Sequence, residues 1–330
     1  MPIVSHRLCT APMMDWSDRH CRYFFRQLAP GAVVYTEMIT TGALLHGDVE
    51  RHLRFDAAEH PVVLQLGGSD PDELAHGARL GERWGYDEIN LNCGCPSERV
   101  QRGAFGACLM AEPQLVADCV QAMREAVSIP VSVKHRLGID HTEDYGFVRR
   151  FVDALARAGC GTFIVHARNA VLKGLSPKDN REIPRLRYEE VYALKREFAQ
   201  LTIVVNGGIS ESSQVEAHLA HVDGVMLGRA AYHDPYLLAT LDHRWSGSPL
   251  PTRESIVRRM LSYAEIEIDG GTPLRAIARH MLGLFHARPG ARVWRRMLSD
   301  AAQLARNDAR LLVEALEALG REVPAAMEVI

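Results

Sequence analysis

The chain has 330 residues, 47% of them hydrophobic, and a formal net charge of −3; the length suits a barrel of about 250 residues with an added domain, and the charge restricts any nucleic-acid-binding surface to a local patch. No run of about 18 apolar residues occurs, so we expect no membrane span, and the amino terminus shows no basic region followed by an apolar stretch, so we expect no secretory signal. Seven cysteines without a disulfide or metal-ligand spacing indicate a reducing, cytoplasmic location and no metal site.

Short runs rich in β-branched residues recur through the first two thirds of the chain, and each predicts a β-strand. They are Leu8–Ala11, Val33–Met38, Val62–Leu66, Ile89–Asn92, Val131–Lys134, Thr162–His166, Thr202–Asn206 and Gly224–Leu227. Segments with helical period and capping residues lie between them, for example from Asp70 and from Ser210. Eight continuous apolar strands that alternate with helices indicate parallel strands buried on both faces. The sequence therefore predicts a (β/α)8 TIM barrel over residues 1–245, with its site at the carboxyl ends of the strands.

The character of the chain changes at Ser246, where a linker with one glycine and two prolines begins and no strand-like run follows. Apolar residues at helical spacing predict a small C-terminal all-α helical bundle over residues 246–330. Its predicted helices are Thr252–Asp269, Thr272–Ala287, Ala291–Arg306 and Asp308–Leu319.

One segment of the predicted bundle, Gly270–Ser299, contains six arginines and no carboxylate. Spacings of three and four residues put Arg292, Arg295 and Arg296 on one face of a helix. Such a face can follow the phosphates of a nucleic acid. The alternative is a solvated arginine face with long-range ion-pair partners.

The most informative motif, Asn92-Cys93-Gly94-Cys95-Pro96, follows the fourth predicted strand. Gly94 and Pro96 break the strand into a loop, and this places the Cys95 thiol where it can give a proton to a ligand at the strand ends. A Cys-x-Cys pair with no second pair at ligand spacing is neither a zinc nor a disulfide pattern. A small buried apolar side chain is the ordinary alternative for a cysteine.

Glycines follow the seventh and eighth predicted strands, in Asn206-Gly207-Gly208 and in Gly228-Arg229. At this place in a barrel, glycine amides, a helix amino terminus and an arginine can hold a phosphate, although glycines at strand ends often serve turn geometry alone. His166 ends the sixth strand and is either structural or part of the same site. No dinucleotide-binding or P-loop glycine pattern follows a strand, so a phosphate-bearing cofactor across the barrel mouth, such as FMN, fits.

Lys134 ends the fifth predicted strand, and an ammonium in an apolar barrel mouth needs negative charge. An anionic reduced flavin would supply that charge; an ion pair with Glu37 or Glu88 is the alternative. The amides of Gln65 and Asn92 can bind the edge of an isoalloxazine ring, or they can cap the local backbone.

Together these motifs closely resemble those of the tRNA-dihydrouridine synthases, over nearly the whole chain. The matching segments are Ala11–Asp18, Gln65–Gly68, Asn92–Pro96, Lys134, His166–Arg168, Lys173–Lys178, Asn206–Gly208 and Gly228–Arg229. Arg99–Met110 and Asn180–Pro184 are similar to the bacterial A branch of the family, which acts on D-loop uridines 20 and 20a. The chain departs from the family pattern at Cys93, where an apolar residue is common; this leaves open a buried substitute or an added redox sensitivity.

The resemblance implies that NADPH reduces bound FMN, that the flavin N5 delivers hydride to C6 of a flipped-out uracil, and that Cys95 protonates C5. It implies FMN ligands at Pro12, Met13, Met14, Gln65, Lys134, His166, Asn206, Gly207, Gly208, Gly228 and Arg229. We expect Asn92 to contact or orient the uracil. We expect further tRNA contacts at Lys178, Arg181, Arg292, Arg295 and Arg296. The protein is expected to act as a monomer without a metal.

Two other functions compete with this one. A flavin barrel can reduce a free small molecule, as a dihydropyrimidine or enoate reductase does, and a catalytically idle protein can bind or chaperone tRNA. The arginine segment argues against the first, since a small substrate has no use for it. Cys95 and Lys134 argue against the second, because an idle protein does not need them.

Overall fold

The computed structural model describes residues 4–98, 100, 103–142 and 144–322. Arg99, Gln101 and Arg102 of the segment that resembles the A branch lie outside the described residues, as do residues 323–330 of the predicted bundle. In the described part of the chain no helix is long and apolar enough to cross a membrane.

A barrel of eight parallel strands is the main feature of the described residues. The strands are β1 Leu8–Thr10, β2 Val34–Thr40, β3 Val62–Gly67, β4 Glu88–Cys93, β5 Val131–Arg136, β6 Thr162–His166, β7 Thr202–Asn206 and β8 Gly224–Leu227. They pair in the order β1-β8-β7-β6-β5-β4-β3-β2, and a parallel bridge between Cys9 and Val33 joins β1 to the segment before β2. The predicted (β/α)8 barrel is confirmed, with β2, β3, β4 and β5 extending beyond their predicted ends.

Helices follow most of the strands, and further helices form the carboxyl-terminal part. They are α1 Arg19–Leu28, α2 Thr41–His46, α3 Val49–Leu53, α4 Pro71–Trp84, α5 Pro113–Ala126, α6 Tyr145–Arg157, α7 Tyr188–Glu197, α8 Ser212–Leu219, α9 Arg229–His233, α10 Tyr236–Ser246, α11 Arg253–Asp269, α12 Leu274–Met281, α13 Ala291–Ser299, α14 Ala301–Ala305 and α15 Leu311–Glu322. Short 3-10 helices lie at Ala57–Glu59, Gly106–Ala111 and Asp179–Arg181.

Two of the predicted carboxyl-terminal helices have different bounds in the structure. The helix predicted over residues 272–287 ends at Met281. The helix predicted over residues 291–306 is divided between α13 and α14 at Asp300, whose carboxylate accepts the backbone N–H of Gln303 at 2.8 Å. An aspartate that caps a following helix in this way begins a new helix, because its side chain competes with the helical backbone bond.

The barrel interior has an apolar part and a polar part. Eight buried residues form the apolar core: Cys9, Ala11, Val33, Tyr35, Val63, Ile164, Val204 and Met226. The polar part consists of Gln65, Glu88, Asn90 and Ser132, all fully buried. Because side chains alternate along a strand, Glu88, Asn90 and Asn92 project to the same side of β4 and fill the interior beside β3 and β5.

The described residues form two compact units, one that lies within residues 1–17 and 32–228 and one that lies within residues 18–31 and 229–330. The first contains the barrel strands. The second contains α1 and α9–α15, and α1 packs on α10, α11 and α12. Because α9 and α10 belong to the second unit, the unit boundary in the structure falls before α9. The predicted domain boundary lies later, between residues 245 and 246.

Polar contacts as well as apolar ones stabilise the packing of the helices in the second unit. His20 on α1 is buried, and its Nδ1 lies 2.7 Å from the hydroxyl of Tyr263 on α11. Arg19 forms a two-contact ion pair with Glu267, at 2.5 Å for each contact. Burial, reinforced by the charge of Arg19, lowers the pKa of His20 from 6.5 to about 4.

We expect the second unit to lose stability as the pH falls from about 6.5 to about 4. The pKa of His20 is lower in the folded protein than in the unfolded chain, so as the pH falls the unfolded chain binds the proton first. The folded state therefore loses stability relative to the unfolded state over this pH range. The shift of His20 corresponds to about 3 kcal/mol at the acid end of this range. Urea unfolding at several pH values should show a steeper pH dependence for the wild type than for His20→Phe. The exposed His243→Gln is the control, and an unchanged slope in His20→Phe would contradict the assignment.

Candidate active site

The Cys95 turn, which we define as residues 92–97, lies at the carboxyl end of β4. The side-chain Oδ1 of Asn92 accepts the backbone N–H of Gly94 at 3.1 Å and of Cys95 at 3.0 Å. The Cys95 carbonyl accepts the N–H of Ala107 at 2.9 Å. The Cys95 thiol is partly exposed and lies 3.5 Å from the hydroxyl of Ser97. The turn therefore holds a reachable thiol at the barrel mouth.

Cys93, two residues earlier, has a different environment. It is fully buried, and burial, together with nearby thiols, raises the pKa of its thiol well above the usual value. The sequence left two alternatives open for Cys93, a buried replacement for an apolar residue or an added redox sensitivity. The buried position of Cys93 agrees with the first. A buried neutral thiol packs as a small apolar side chain.

Arg136, which the sequence analysis did not single out, binds the Cys95 turn to the loop after β6. Its Nε donates to the Gly94 carbonyl at 3.2 Å, and its Nη1 donates to the carbonyls of Asn169 at 3.1 Å and Asn180 at 2.9 Å. Burial lowers the pKa of this guanidinium to about 9. Arg136 lies two residues after Lys134, so the alternation of side chains along a strand is the signal that could have identified it.

Lys134 faces the mouth without a carboxylate partner among the described residues. Its Nζ donates to Oδ1 of Asn206 at 3.1 Å. Glu37 and Glu88 contact other groups, so the ion pair with either of them that the sequence left open is wrong. Burial, followed by the positive charge of Arg136, lowers the pKa of Lys134 to about 7. An anion that binds here would favour the ammonium form.

Gly207 and Gly208 form a cradle after β7 that side chains approach closely. Gly207 has φ +109°, and a Cβ there would lie 2.4 Å from Cδ2 of His166; Gly208 has φ +72°, and its Cβ would lie 2.6 Å from Leu186. The hydroxyl of Tyr188 donates to the Gly207 carbonyl at 2.6 Å. Sterics therefore require glycine at both positions, and Tyr188 is a further support that the sequence analysis missed.

Residues 12–17 connect the end of β1 to the second unit. The N–H of Met13 donates to the hydroxyl of Ser17 at 2.8 Å, and Met13 packs against the barrel core. Met14 is 57% exposed. Gly228 lies close to Ala11 and Met13, so the predicted ligands Met13 and Gly228 are neighbours.

Arg229 and Gln65 are two further predicted ligands, and they differ in their surroundings. Arg229 begins α9 and belongs to the second unit, and its side chain is partly exposed. Gln65 is fully buried, and its Oε1 accepts from Asn92 Nδ2 at 2.8 Å. The backbone cap that the sequence left open for Asn92 is present in the structure.

A cleft of about 490 Å³ lies between the Cys95 turn and the loop after β6. Pro96, Ser97 and Glu98 line one side, and Leu172 with residues 174–177 lines the other. The loop continues to Lys178 and Arg181, whose side chains are exposed. The buried Asn180 anchors it, because its side chain both accepts from and donates to the backbone of Val171.

The three predicted arginines of α13 are exposed, while Val293, Trp294 and Leu298 of the same helix are buried. None of the three forms an ion pair with another described residue. Arg279 of the same segment does, because its guanidinium lies 2.6 Å from Asp18. Arg279 therefore has the long-range ion-pair partner that the sequence left open. The positive charges of the three α13 arginines have no such partner within the described residues.

The described residues contain no cluster of three or more His, Cys, Asp or Glu side chains that could hold a metal ion.

Comparison with known proteins gives a family match and close relatives. The family described as Dihydrouridine synthase (Dus) matches residues 9–320. The tRNA-dihydrouridine(20/20a) synthase of Synechocystis sp. is 57% identical over 313 residues, which cover 94% of each chain. Its namesake in Xanthomonas campestris pv. campestris is 56% identical over 90% of this chain and 89% of that one. That of Vibrio parahaemolyticus is 52% identical over 97% and 98%.

Proposed function

We propose, from the premise that this chain belongs to the dihydrouridine synthase family, that it reduces D-loop uridines 20 and 20a of tRNA to 5,6-dihydrouridine, with FMN as bound cofactor and NADPH as electron donor. The observation that carries this proposal is the partly exposed Cys95 thiol at the carboxyl end of the barrel. It is accompanied by a glycine cradle and by the Lys134 ammonium, which has no carboxylate partner in the part of the chain that the structure describes. The names of these relatives, tRNA-dihydrouridine(20/20a) synthases, support the substrate and its positions.

The residues at the mouth fit a phosphate-bearing flavin. Gly207 and Gly208 lie so close to His166 and Leu186 that neither position has room for a Cβ, and glycine amides at this place in a barrel suit a phosphate. Among the described residues Lys134 has only Asn206 as a hydrogen-bond partner, so a bound anion would compensate its desolvated charge. We propose that these residues hold FMN with Pro12, Met13, Met14, Gln65, His166, Asn206 and Gly228.

When bound, FMN supplies the hydride that enters C6 of the uracil. The Cys95 thiol donates its proton to C5, so that one hydrogen is added at each carbon and the double bond becomes single. Asn92 and Arg136 both bind the peptide group between Gly94 and Cys95, directly before this thiol. Because Cys95 is partly exposed, solvent can return the proton afterwards. Lys134 holds positive charge at the mouth and stabilises the anionic partner in the site.

A uracil must leave its base stack before it can be reduced, and the cleft beside the Cys95 turn offers a place for the flanking nucleotide. Lys178 and Arg181 stand exposed on the loop that lines this cleft. We assign them contacts to the phosphates next to the flipped base. Arg292, Arg295 and Arg296 form a second basic surface, to which we assign phosphates farther along the tRNA.

The cofactor assignment has a direct test. Purified protein should be yellow, should release FMN on denaturation, and should lose its colour when NADPH is added without oxygen. Colourless protein that takes up no FMN on reconstitution would remove the basis for the proposed chemistry.

We expect Gly207→Ala to weaken FMN binding by about tenfold or more. An alanine at φ +109° is strained at a cost of about 1–3 kcal/mol, and its Cβ would displace the His166 ring. Fluorescence titration of the apoprotein with FMN measures the change. The control is Gly247→Ala, where φ is +69° but a Cβ meets open space. Equal FMN affinity in Gly207→Ala and the wild type would exclude this cradle as the phosphate site.

A further inference from the structure

A row of hydrogen-bonded polar side chains crosses the barrel interior, starting at the Cys95 turn. Asn92 Nδ2 donates to Gln65 Oε1 at 2.8 Å, Gln65 Nε2 donates to Asn90 Oδ1 at 2.7 Å, and Asn90 Nδ2 donates to Ser132 Oγ at 2.8 Å. The strand register places these groups side by side, because Asn90 pairs with Gln65 of β3 and with Ser132 of β5. We call this set, with Glu88, the polar row.

The far end of the polar row is a carboxylate. The hydroxyl of Ser132 donates to Glu88 Oε1, and Glu88 Oε2 lies 2.9 Å from His6 Nε2. Both side chains of this pair are buried. Burial alone would lower the pKa of His6, but the bond and the charge of Glu88 outweigh it and raise that pKa. The charge of Glu88 therefore stabilises the protonated imidazole of His6.

The two ends of the polar row fix its direction. A carboxylate only accepts hydrogen bonds, so the hydroxyl of Ser132 must donate to Glu88 and offer a lone pair to Asn90. Asn90 must then present its NH2 group to Ser132 and its carbonyl to Gln65. Gln65 must therefore donate its NH2 group to Asn90 and accept from the NH2 group of Asn92 at its carbonyl oxygen. The Oδ1 atom of Asn92 then faces the turn.

The other end requires the same direction. Backbone N–H groups only donate, and those of Gly94 and Cys95 both point at Asn92 Oδ1. If the row were reversed, the NH2 group of Asn92 would face two N–H donors, and both bonds that hold the Cys95 turn would be lost. A buried donor without an acceptor costs about 1–3 kcal/mol, so reversal is strongly disfavoured.

We propose that Glu88, Ser132 and Asn90 are positioning residues, which fix the orientation of the Asn92 amide and thereby place the Cys95 thiol for proton transfer. These three side chains are fully buried, so they act only through Gln65 and Asn92. This inference rests on the proposed function for its catalytic consequence, and on the structure alone for its effect on the turn. Gln65 and Asn92 each keep one N–H that the row does not use, which leaves them available to a ligand.

The test compares Ser132→Ala with Ser132→Thr. The first removes the hydroxyl that links Asn90 to Glu88, and the second restores a hydroxyl at the same place. In single turnover, with the flavin already reduced and unmodified tRNA added, we expect Ser132→Ala to reduce uridine about tenfold more slowly, because small misplacements of a reacting group are costly. Reduction of the flavin by NADPH should stay within about twofold of the wild type, and Ser132→Thr should recover most of the loss.

A second readout does not depend on the reaction. Alkylation of Cys95 by iodoacetamide, followed by peptide mass spectrometry, reports how firmly the turn is held. We expect Ser132→Ala to label about threefold faster, since a loosened turn opens more often. Thr10→Val is the matched control, because it removes a buried hydroxyl that has no partner in the structure; it should match the wild type in both assays.

The outcomes separate this inference from the proposed function. Wild-type protein that fails to reduce tRNA would overturn the proposed function, while the alkylation rates would still decide on the polar row. Equal Cys95 labelling in Ser132→Ala and the wild type, or equal slowing in Thr10→Val, would overturn the inference. If Ser132→Ala does not fold, Asn90→Leu breaks the row at the next residue with little change of volume and carries the same expectations.

Discussion

Replacement of Cys95 by alanine should slow uridine reduction by about 10²–10⁴-fold, the usual contribution of a general acid. The variant keeps the backbone N–H that Asn92 binds, so the turn should retain its shape. Entry of hydride into the cofactor needs no acid, and NADPH should therefore reduce Cys95→Ala at the wild-type rate. Stopped-flow measurements of flavin reduction and of its reoxidation by tRNA separate the two steps.

Cys93→Ala is the matched control for this variant. Cys93 is fully buried, whereas Cys95 is partly exposed, so removal of the Cys93 thiol should leave the reoxidation rate within a few fold of the wild type. A Cys93→Ala variant that loses reoxidation while Cys95→Ala keeps it would show that the wrong thiol has been assigned as proton donor.

The triple change of Arg292, Arg295 and Arg296 to alanine should strongly weaken tRNA binding. These side chains are exposed and form no ion pair with another described residue, so they are available for phosphates. Each phosphate contact that is lost should reduce the salt dependence of binding by about 0.7–0.9 in the slope of log K against log salt. FMN content and the oxidation of NADPH by oxygen should not change. Binding of labelled tRNA over a series of salt concentrations measures both quantities.

A second triple variant controls for the loss of positive charge. Arg258, Arg306 and Arg310 are also exposed, but they are paired with Glu254, Glu314 and Asp308. Their replacement by alanine should alter the salt slope much less, because paired arginines are already compensated. Equal losses of affinity in the two triple variants would indicate a general charge effect, and unchanged affinity in the first would place tRNA recognition on another surface.

The barrel could be predicted because its strands are buried on both faces. Continuous apolar runs such as Val62–Leu66 have no other common explanation at that length, and the structure places each predicted strand within a few residues of its bounds. The composition of the second unit could not be predicted in the same way. Helix α1 follows β1 directly in the sequence, and only its packing on α10–α12 shows that it belongs elsewhere.

At the site, the residues at strand ends could be predicted and the contacts between them could not. Cys95, Lys134 and Asn206 follow from their positions after strands, and Lys134 indeed lies 3.1 Å from Asn206. The role of Arg136 could not be predicted, because its guanidinium binds three backbone carbonyls that belong to distant segments of the chain. The roles of Asn90 and Ser132 could not be predicted, because the sequence does not show which polar side chains of neighbouring strands lie side by side. Only the strand register shows that these two are paired.

The most direct test of the central claim is a map of dihydrouridine in tRNA that has been treated with the purified protein. Unmodified tRNA transcript is incubated with enzyme, FMN and NADPH without oxygen, digested with a nuclease and analysed by mass spectrometry. We expect a gain of two hydrogens at uridine 20 and, where present, uridine 20a, and no gain when Cys95→Ala replaces the wild type. No gain at either position with FMN-loaded wild-type protein, or a gain confined to other uridines, would contradict it.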